Sequence, residues 1–298
     1  MSANNGKIFS EYCKKKKIDE KLISDYIELY NNINKQDKEK IKEEIEKIIA
    51  VELFNLFKKQ EKFYSKEKVK EYSEKFEWQK KNATESLKIR NNKAKEFQNW
   101  IKKLTNQSKP DLKEAENMFN HVLEWGFGTK NFFNGKKYIN NKQKKVGELK
   151  DFCKFINDWN KGDRKEKRKN SEEKRKSHLN ILNISGVGIA RSSKWICFID
   201  QENYAIYDSR VSLALSKIIN EKKKKPFFQV LKRRDLKTKK YPKGSSRSKS
   251  LTVDDYFIFL KFINKVADEY KMKPFEVEMS LFMMGDNEKY YKHLFELQ

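Results

Sequence analysis

The sequence predicts an all-α protein, on three observations. Apolar residues recur at the helical period, period-two alternation is rare, and capping residues stand where the periodic runs begin and end.

Residues 18–106 read as helix almost throughout. In IKEEIEKIIAVELFNLFKK, Ile41, Ile45, Ile48, Ile49 and Leu53 return at helical spacing and share a face. Ser108-Lys109-Pro110 breaks this run, because proline pushes the residue before it out of helical backbone. Asp111 offers an N-cap with Glu114 three residues on, the pattern of a capping box. The helix it opens ends near Trp125-Gly126-Phe127-Gly128. Residues 149–159, with Phe152, Phe155, Ile156 and Trp159 apolar, read as another short helix. Thr252 and Asp255 make a second capping pattern before Tyr256-Phe257-Ile258-Phe259-Leu260. Pro274 suits the first turn of a further helix, where its missing N–H is no loss, and Gly285 ends it. No repeat is apparent. The chain divides into an N-terminal helical region, 1–110, and a second region, 111–298, with basic insertions at 161–176 and 221–250.

The net charge is +25. An excess of this size draws polyanions to the surface, and a nucleic acid is the natural partner. Frequent Lys and Asn also arise from an AT-rich genome, so the distribution matters more than the total. Residues 161–176 hold nine Lys/Arg against four Asp/Glu, a net of +5. Residues 221–250 hold thirteen against two, a net of +11. Charge gathered into two segments reads as a binding footprint rather than a uniform bias.

Cys13, Cys153 and Cys197 are scattered and odd in number, which argues for a reducing compartment and against a disulfide framework. Three cysteines cannot make a four-cysteine iron–sulfur site. His121, His178 and His293 show no ligand spacing with them. The opening MSANNGKIFSEYCKKKK has no apolar signal core, and no run approaches a membrane span. The expectation is a cytoplasmic protein, monomeric, with no membrane partner and no required cofactor.

The stretch that carries chemistry is residues 181–215, ILNISGVGIARSSKWICFIDQENYAIYDSRVSLAL. Apolar Ile181, Leu182 and Ile184 lead into a tight turn at Gly186-Val187-Gly188. A helix follows, with Ile189, Trp195, Ile196 and Phe198 apolar. Its first amides have no partner within the helix and face the turn, where no side chain bars approach. Free N–H donors at the positive end of a helix dipole make a phosphate site. Beyond the helix, Asp208 precedes SRVSLALSKII and reads as an N-cap. The helix dipole keeps such a carboxylate ionised.

Helix, Gly-Val-Gly hairpin and helix together resemble the helix-hairpin-helix element that grips a DNA phosphate. Tyr207-Asp208-Ser209-Arg210-Val211 resembles the Val-Asp-Thr-His-Val-like segment that follows the hairpin in helix-hairpin-helix DNA glycosylases, and whose Asp is catalytic. Asp208 lies 22 positions after Gly186, the separation expected of endonuclease-III-like members. Lys273-Pro274-Phe275-Glu276-Val277-Glu278 also resembles glycosylase-like proteins of this superfamily.

The resemblance implies a helix-hairpin-helix glycosylase core preceded by an extra helical region. It implies Asp208 as the catalytic carboxylate, and Gly186, Val187, Gly188, Ile189, Ala190, Arg191 and Lys194 at the DNA backbone. It also implies a monovalent cation on the backbone of Leu182, Ile184 and Val187. The superfamily's bifunctional members carry a nucleophilic Lys two residues after the second hairpin glycine. Ala190 stands there, so the resemblance implies a monofunctional enzyme that uses water. Lys194, one turn later, could reach in, but it reads first as a phosphate or solvent contact.

Hydrolysis of an N-glycosidic bond passes through a cationic sugar, which a fixed carboxylate stabilises, and the base must first leave the stack. A pocket for it needs aromatic faces. Trp125, Phe127, Tyr204 and Tyr207 are the candidates, and each also suits a core. The layout, with added helices and no lyase Lys, resembles bacterial anti-phage glycosylases that remove modified pyrimidines. The expected substrate is therefore a modified cytosine in double-stranded phage DNA, such as glucosylated hydroxymethylcytosine. Alternatives are repair of oxidised or alkylated bases in cellular DNA, or a helix-hairpin-helix protein that only binds DNA. A nuclease would need clustered carboxylates for magnesium, and the sequence shows no such constellation.

Overall fold

The computed structural model describes residues 38–77, 81–106, 112–127, 188–220, 225–231, 241–242, 245 and 251–296. Over these residues the protein is predominantly helical, as the periodicity predicts. The helices are α1 (Lys38–Lys59), α2 (Glu61–Tyr64), α3 (Lys66–Glu74), α4 (Ala83–Thr105), α5 (Leu112–Phe127), α6 (Ile189–Ile199), α7 (Ser209–Ala214), α8 (Val253–Tyr270), α9 (Pro274–Met284), α10 (Glu288–Tyr291) and α11 (His293–Glu296). A three-ten turn, Leu215–Lys217, extends α7.

Local sequence explains several boundaries. Thr252 Oγ1 accepts from the Asp255 amide at 3.1 Å while Asp255 Oδ2 accepts from the Thr252 amide at 3.0 Å, so both capping-box bonds form at the start of α8. Pro274 is the first residue of α9, and Gly285 caps its end. Ser65 caps α3 by accepting from the Lys68 amide at 3.3 Å.

One hydrophobic cluster runs from Ile49 to Tyr290 and joins helices on both sides of residue 110. α1 packs along α8, and α3 along α9, while α6 packs on α4 and α5. Phe57 stacks on Tyr64 at 4.2 Å and meets Phe262 edge-on at 5.4 Å. Backbone carbonyls of the early helices are tied by late side chains. The Tyr270 hydroxyl donates to Tyr64 O at 2.8 Å, and Ser280 Oγ to Val69 O at 2.6 Å.

Two features depart from the sequence expectation. Ile219–Asn220 and Lys225–Pro226 pair as a minimal antiparallel ladder, too short to leave an alternation pattern. Within 221–250, expected as a basic insertion, Phe228, Val230 and Leu231 are buried. Those apolar side chains anchor the segment, and the Leu231 amide donates to Ser212 Oγ at 3.0 Å. The expected helix at 149–159, the basic stretch 161–176, Asp111 and residues 18–37 lie outside the described residues.

Candidate active site

The site is built from the chain between α6 and α7. Residues 204–208 carry no regular helix and are pinned from both sides. Tyr256 donates through its hydroxyl to Ala205 O at 2.8 Å, and the Tyr207 amide donates to Ser193 Oγ at 3.2 Å. This fixed segment delivers Asp208 to the first turn of α7. Asp208 Oδ1 accepts from the amides of Arg210 (2.9 Å) and Val211 (3.1 Å), the N-cap its sequence predicts. The other oxygen, Oδ2, accepts from Lys194 Nζ at 3.4 Å.

Lys194 comes from α6 and is 2% exposed. A buried lysine needs a partner of opposite charge, because its ammonium has given up its water. Asp208 meets that need. Space for the lysine stem comes from Gly126 on α5, where a Cβ would stand 2.5 Å from Lys194 Cδ. Burial pushes the Asp208 carboxyl up, but the Lys194 ammonium, the Arg210 charge and the two backbone amides outweigh it. The net effect holds Asp208 below its ordinary range and ionised.

Asp208 and Lys194 line a tight cleft that has room for about one water molecule. Its walls are Phe76, Arg90 from α4, Trp125 from α5, and Glu278 and Phe282 from α9. Arg90 and Glu278 are both buried and ion-paired through Arg90 Nη2 and Glu278 Oε2. The same nitrogen donates to Cys197 Sγ at 3.3 Å, and Arg90 Nε donates to Gln201 Oε1 at 3.2 Å. The rings of Trp125 and Phe275 flank the guanidinium at 5.8 and 5.9 Å. Burial pushes the Cys197 thiol up to about 12, so it stays protonated.

Asp208, Lys194 and Trp125 are thus brought to one cleft. Lys194, expected at the DNA backbone, is turned inward, because α6 buries that face against α5. Tyr204 and Tyr207 are not brought to the cleft. Tyr207 is absent from the cleft wall and packs elsewhere. Its hydroxyl donates to Gln229 O at 2.7 Å, and its ring meets Phe259 edge-on at 4.8 Å. Tyr204 is buried and likewise absent from the cleft wall. Phe127 is the last residue of α5, and its side chain lies outside the described residues.

Gly188 is the N-cap of α6, with the Arg191 amide donating to its carbonyl at 2.8 Å. Ile189 is buried, while Ala190 and Arg191 are half-buried. Gly186 and Val187, and with them the expected cation site at Leu182, Ile184 and Val187, lie outside the described residues.

Sequence reasoning missed Phe76, Arg90 and Phe282. Nothing local marks them, since each reaches the cleft only through packing of distant helices. Glu278 ends the segment Lys273–Glu278 that resembles glycosylase-like proteins, but no role attaches to it from sequence.

No family model, no curated protein and no solved structure matches this chain. Among the described residues, no group of three or more His, Cys, Asp or Glu is placed to hold a metal ion. No described helix is long and apolar enough to cross a membrane.

Proposed function

We propose that this protein is a monofunctional DNA glycosylase with a helix-hairpin-helix core. It flips a modified base from double-stranded DNA and hydrolyses its N-glycosidic bond, leaving an abasic site. The observation that carries the reading is Asp208. It is a capping carboxylate kept ionised by Lys194 and two amides, and it faces a cleft with an aromatic wall. Its position 22 residues after Gly186 fits the helix-hairpin-helix glycosylases it resembles.

In this reading the C1′–N bond breaks toward a cationic sugar, and the Asp208 carboxylate stabilises that cation across the cleft. The same carboxylate accepts a proton from the water that attacks C1′. Trp125 supplies a ring face for the base. As it stands the cleft has room for about one water, so a base enters only when its walls part. The first turn of α6 receives a DNA phosphate, and the basic segments 161–176 and 221–250 hold the flanking backbone. The substrate we propose is a modified cytosine of phage DNA, such as glucosylated hydroxymethylcytosine, and the protein acts as a monomer without a cofactor.

Mass spectrometry of bases released from phage DNA with and without cytosine modification tests this directly. Release of modified cytosine alone is the expected result. Release of 8-oxoguanine or an alkylpurine instead assigns the protein to repair. Binding with no release from any DNA makes it a DNA-binding protein only.

A further inference from the structure

Resting on the glycosylase reading, we infer that Arg90 is a second catalytic group. It donates a hydrogen bond to the acceptor beside the glycosidic nitrogen and stabilises the base as that base departs with negative charge. The observation behind this is an orphaned donor. Arg90 is wholly buried and lines the cleft that Asp208 lines. Its Nε and Nη2 are engaged by Gln201, Cys197 and Glu278, whereas Nη1 is buried with no hydrogen-bond partner among the described residues.

Buried donors without partners are rare in native proteins, because the group has lost its water and gained nothing. The guanidinium cannot swing to find another acceptor. Trp125 and Phe275 flank it, and its other two nitrogens are held. A donor fixed in this way needs no reorganisation when charge develops in front of it.

The chemistry of the bond supplies the acceptor. Heterolysis of C1′–N sends the bonding pair to the base nitrogen, and the charge spreads to O2 of a pyrimidine or N3 of a purine. The sugar is left cationic. Asp208 then meets the positive fragment and Arg90 the negative one. Water oxygen bonds to C1′, one water proton goes to Asp208, and solvent returns a proton to the base. Arg90 itself transfers none. The ligand class is a base with an acceptor next to the bond that breaks.

The test is how the rate depends on the leaving group. Single-turnover release is measured by mass spectrometry from duplexes whose target base carries ring substituents of graded electron withdrawal. Wild-type rates should depend weakly on the substituent, because the enzyme already stabilises the leaving anion. A steep wild-type dependence overturns the inference. The double variant Arg90→Met/Glu278→Met removes the cation without stranding a buried carboxylate. It should lose about 10²–10³-fold on the poorest leaving group and much less on the best.

Glu278→Gln keeps the guanidinium and should keep the wild-type slope. An equal loss across the series in the double variant makes Arg90 structural and overturns the inference. If that variant does not unfold cooperatively, Arg90→Lys and the wild-type slope decide. No release by wild-type protein from any DNA fails the glycosylase reading and this inference together. Release with a steep wild-type slope fails this inference alone.

Discussion

At the residue scale, Asp208 is both a helix cap and the carboxylate that Lys194 meets in the cleft wall at 3.4 Å. Asp208→Asn keeps an oxygen for the amides of Arg210 and Val211 but removes the charge. Base release should fall by about 10²–10³-fold or more, with DNA affinity nearly unchanged in a filter-binding assay. Turnover near wild type would end the catalytic assignment. The acid limb of activity follows from the same contacts. The folded carboxyl lies below its ordinary value, so activity should persist below the usual carboxylate range. Lys194→Met removes the largest opposing charge and leaves burial to push Asp208 up, so a pH–rate profile should show the acid limb moving to higher pH. Stability follows the same sign. Asp208 contributes fully above its unfolded value, and that contribution fades as pH falls through the lower folded one. Borohydride should trap no covalent adduct with DNA, since Ala190 has no amine and Lys194 is held by Asp208. Efficient trapping, checked by gel shift, would make Lys194 the nucleophile.

At the element scale, two glycines fix how helices meet around the site, and they should fail differently. At Gly126 a Cβ would stand 2.5 and 2.6 Å from Lys194 Cδ and Cε, the flexible end of a side chain. Gly126→Ala should therefore displace the lysine and lower base release, at a modest stability cost of about 1–2 kcal/mol. At Gly285 a Cβ would stand 2.0 Å from the Arg210 carbonyl oxygen and 2.5 Å from its carbon, both backbone. Gly285→Ala must force the end of α9 away from the start of α7. It should cost about 3 kcal/mol or more, at or above the usual overpacking range. Thermal melts of the two variants check the ranking, and equal losses would refute it.

At the scale of the whole molecule, charge and core point to different things. The core explains why the early helices belong with the site. Phe76 and Arg90 reach the cleft because α3 and α4 pack on α9 and α6. On the proposed reading, the charge supplies the affinity for DNA. The net +11 of residues 221–250 should release counterions on binding, so affinity should fall steeply with salt. Replacing six of those lysines and arginines with glutamine should flatten a log–log plot of affinity against salt, by roughly 0.9 for each phosphate no longer neutralised. An unchanged slope would give the segment another partner.

What the sequence determined by itself is whatever depends on neighbours along the chain. Helical periodicity, the Thr252–Asp255 capping box, Pro274 at the start of α9 and the capping role of Asp208 are short-range effects, so all were legible. Phe228, Val230 and Leu231 were hidden within a segment dominated by lysine, since composition averages over an anchor that short. The direction in which Tyr207 and Lys194 point was not legible either. Tyr207 is held away by Gln229 and Phe259, and Lys194 turns inward because Gly126 leaves room on a helix more than sixty positions earlier. The Arg90–Glu278 pair spans 188 positions. Only the packing of α4 against α6 and of α3 against α9 brings those charges beside Asp208, and no local pattern encodes a contact made across that distance.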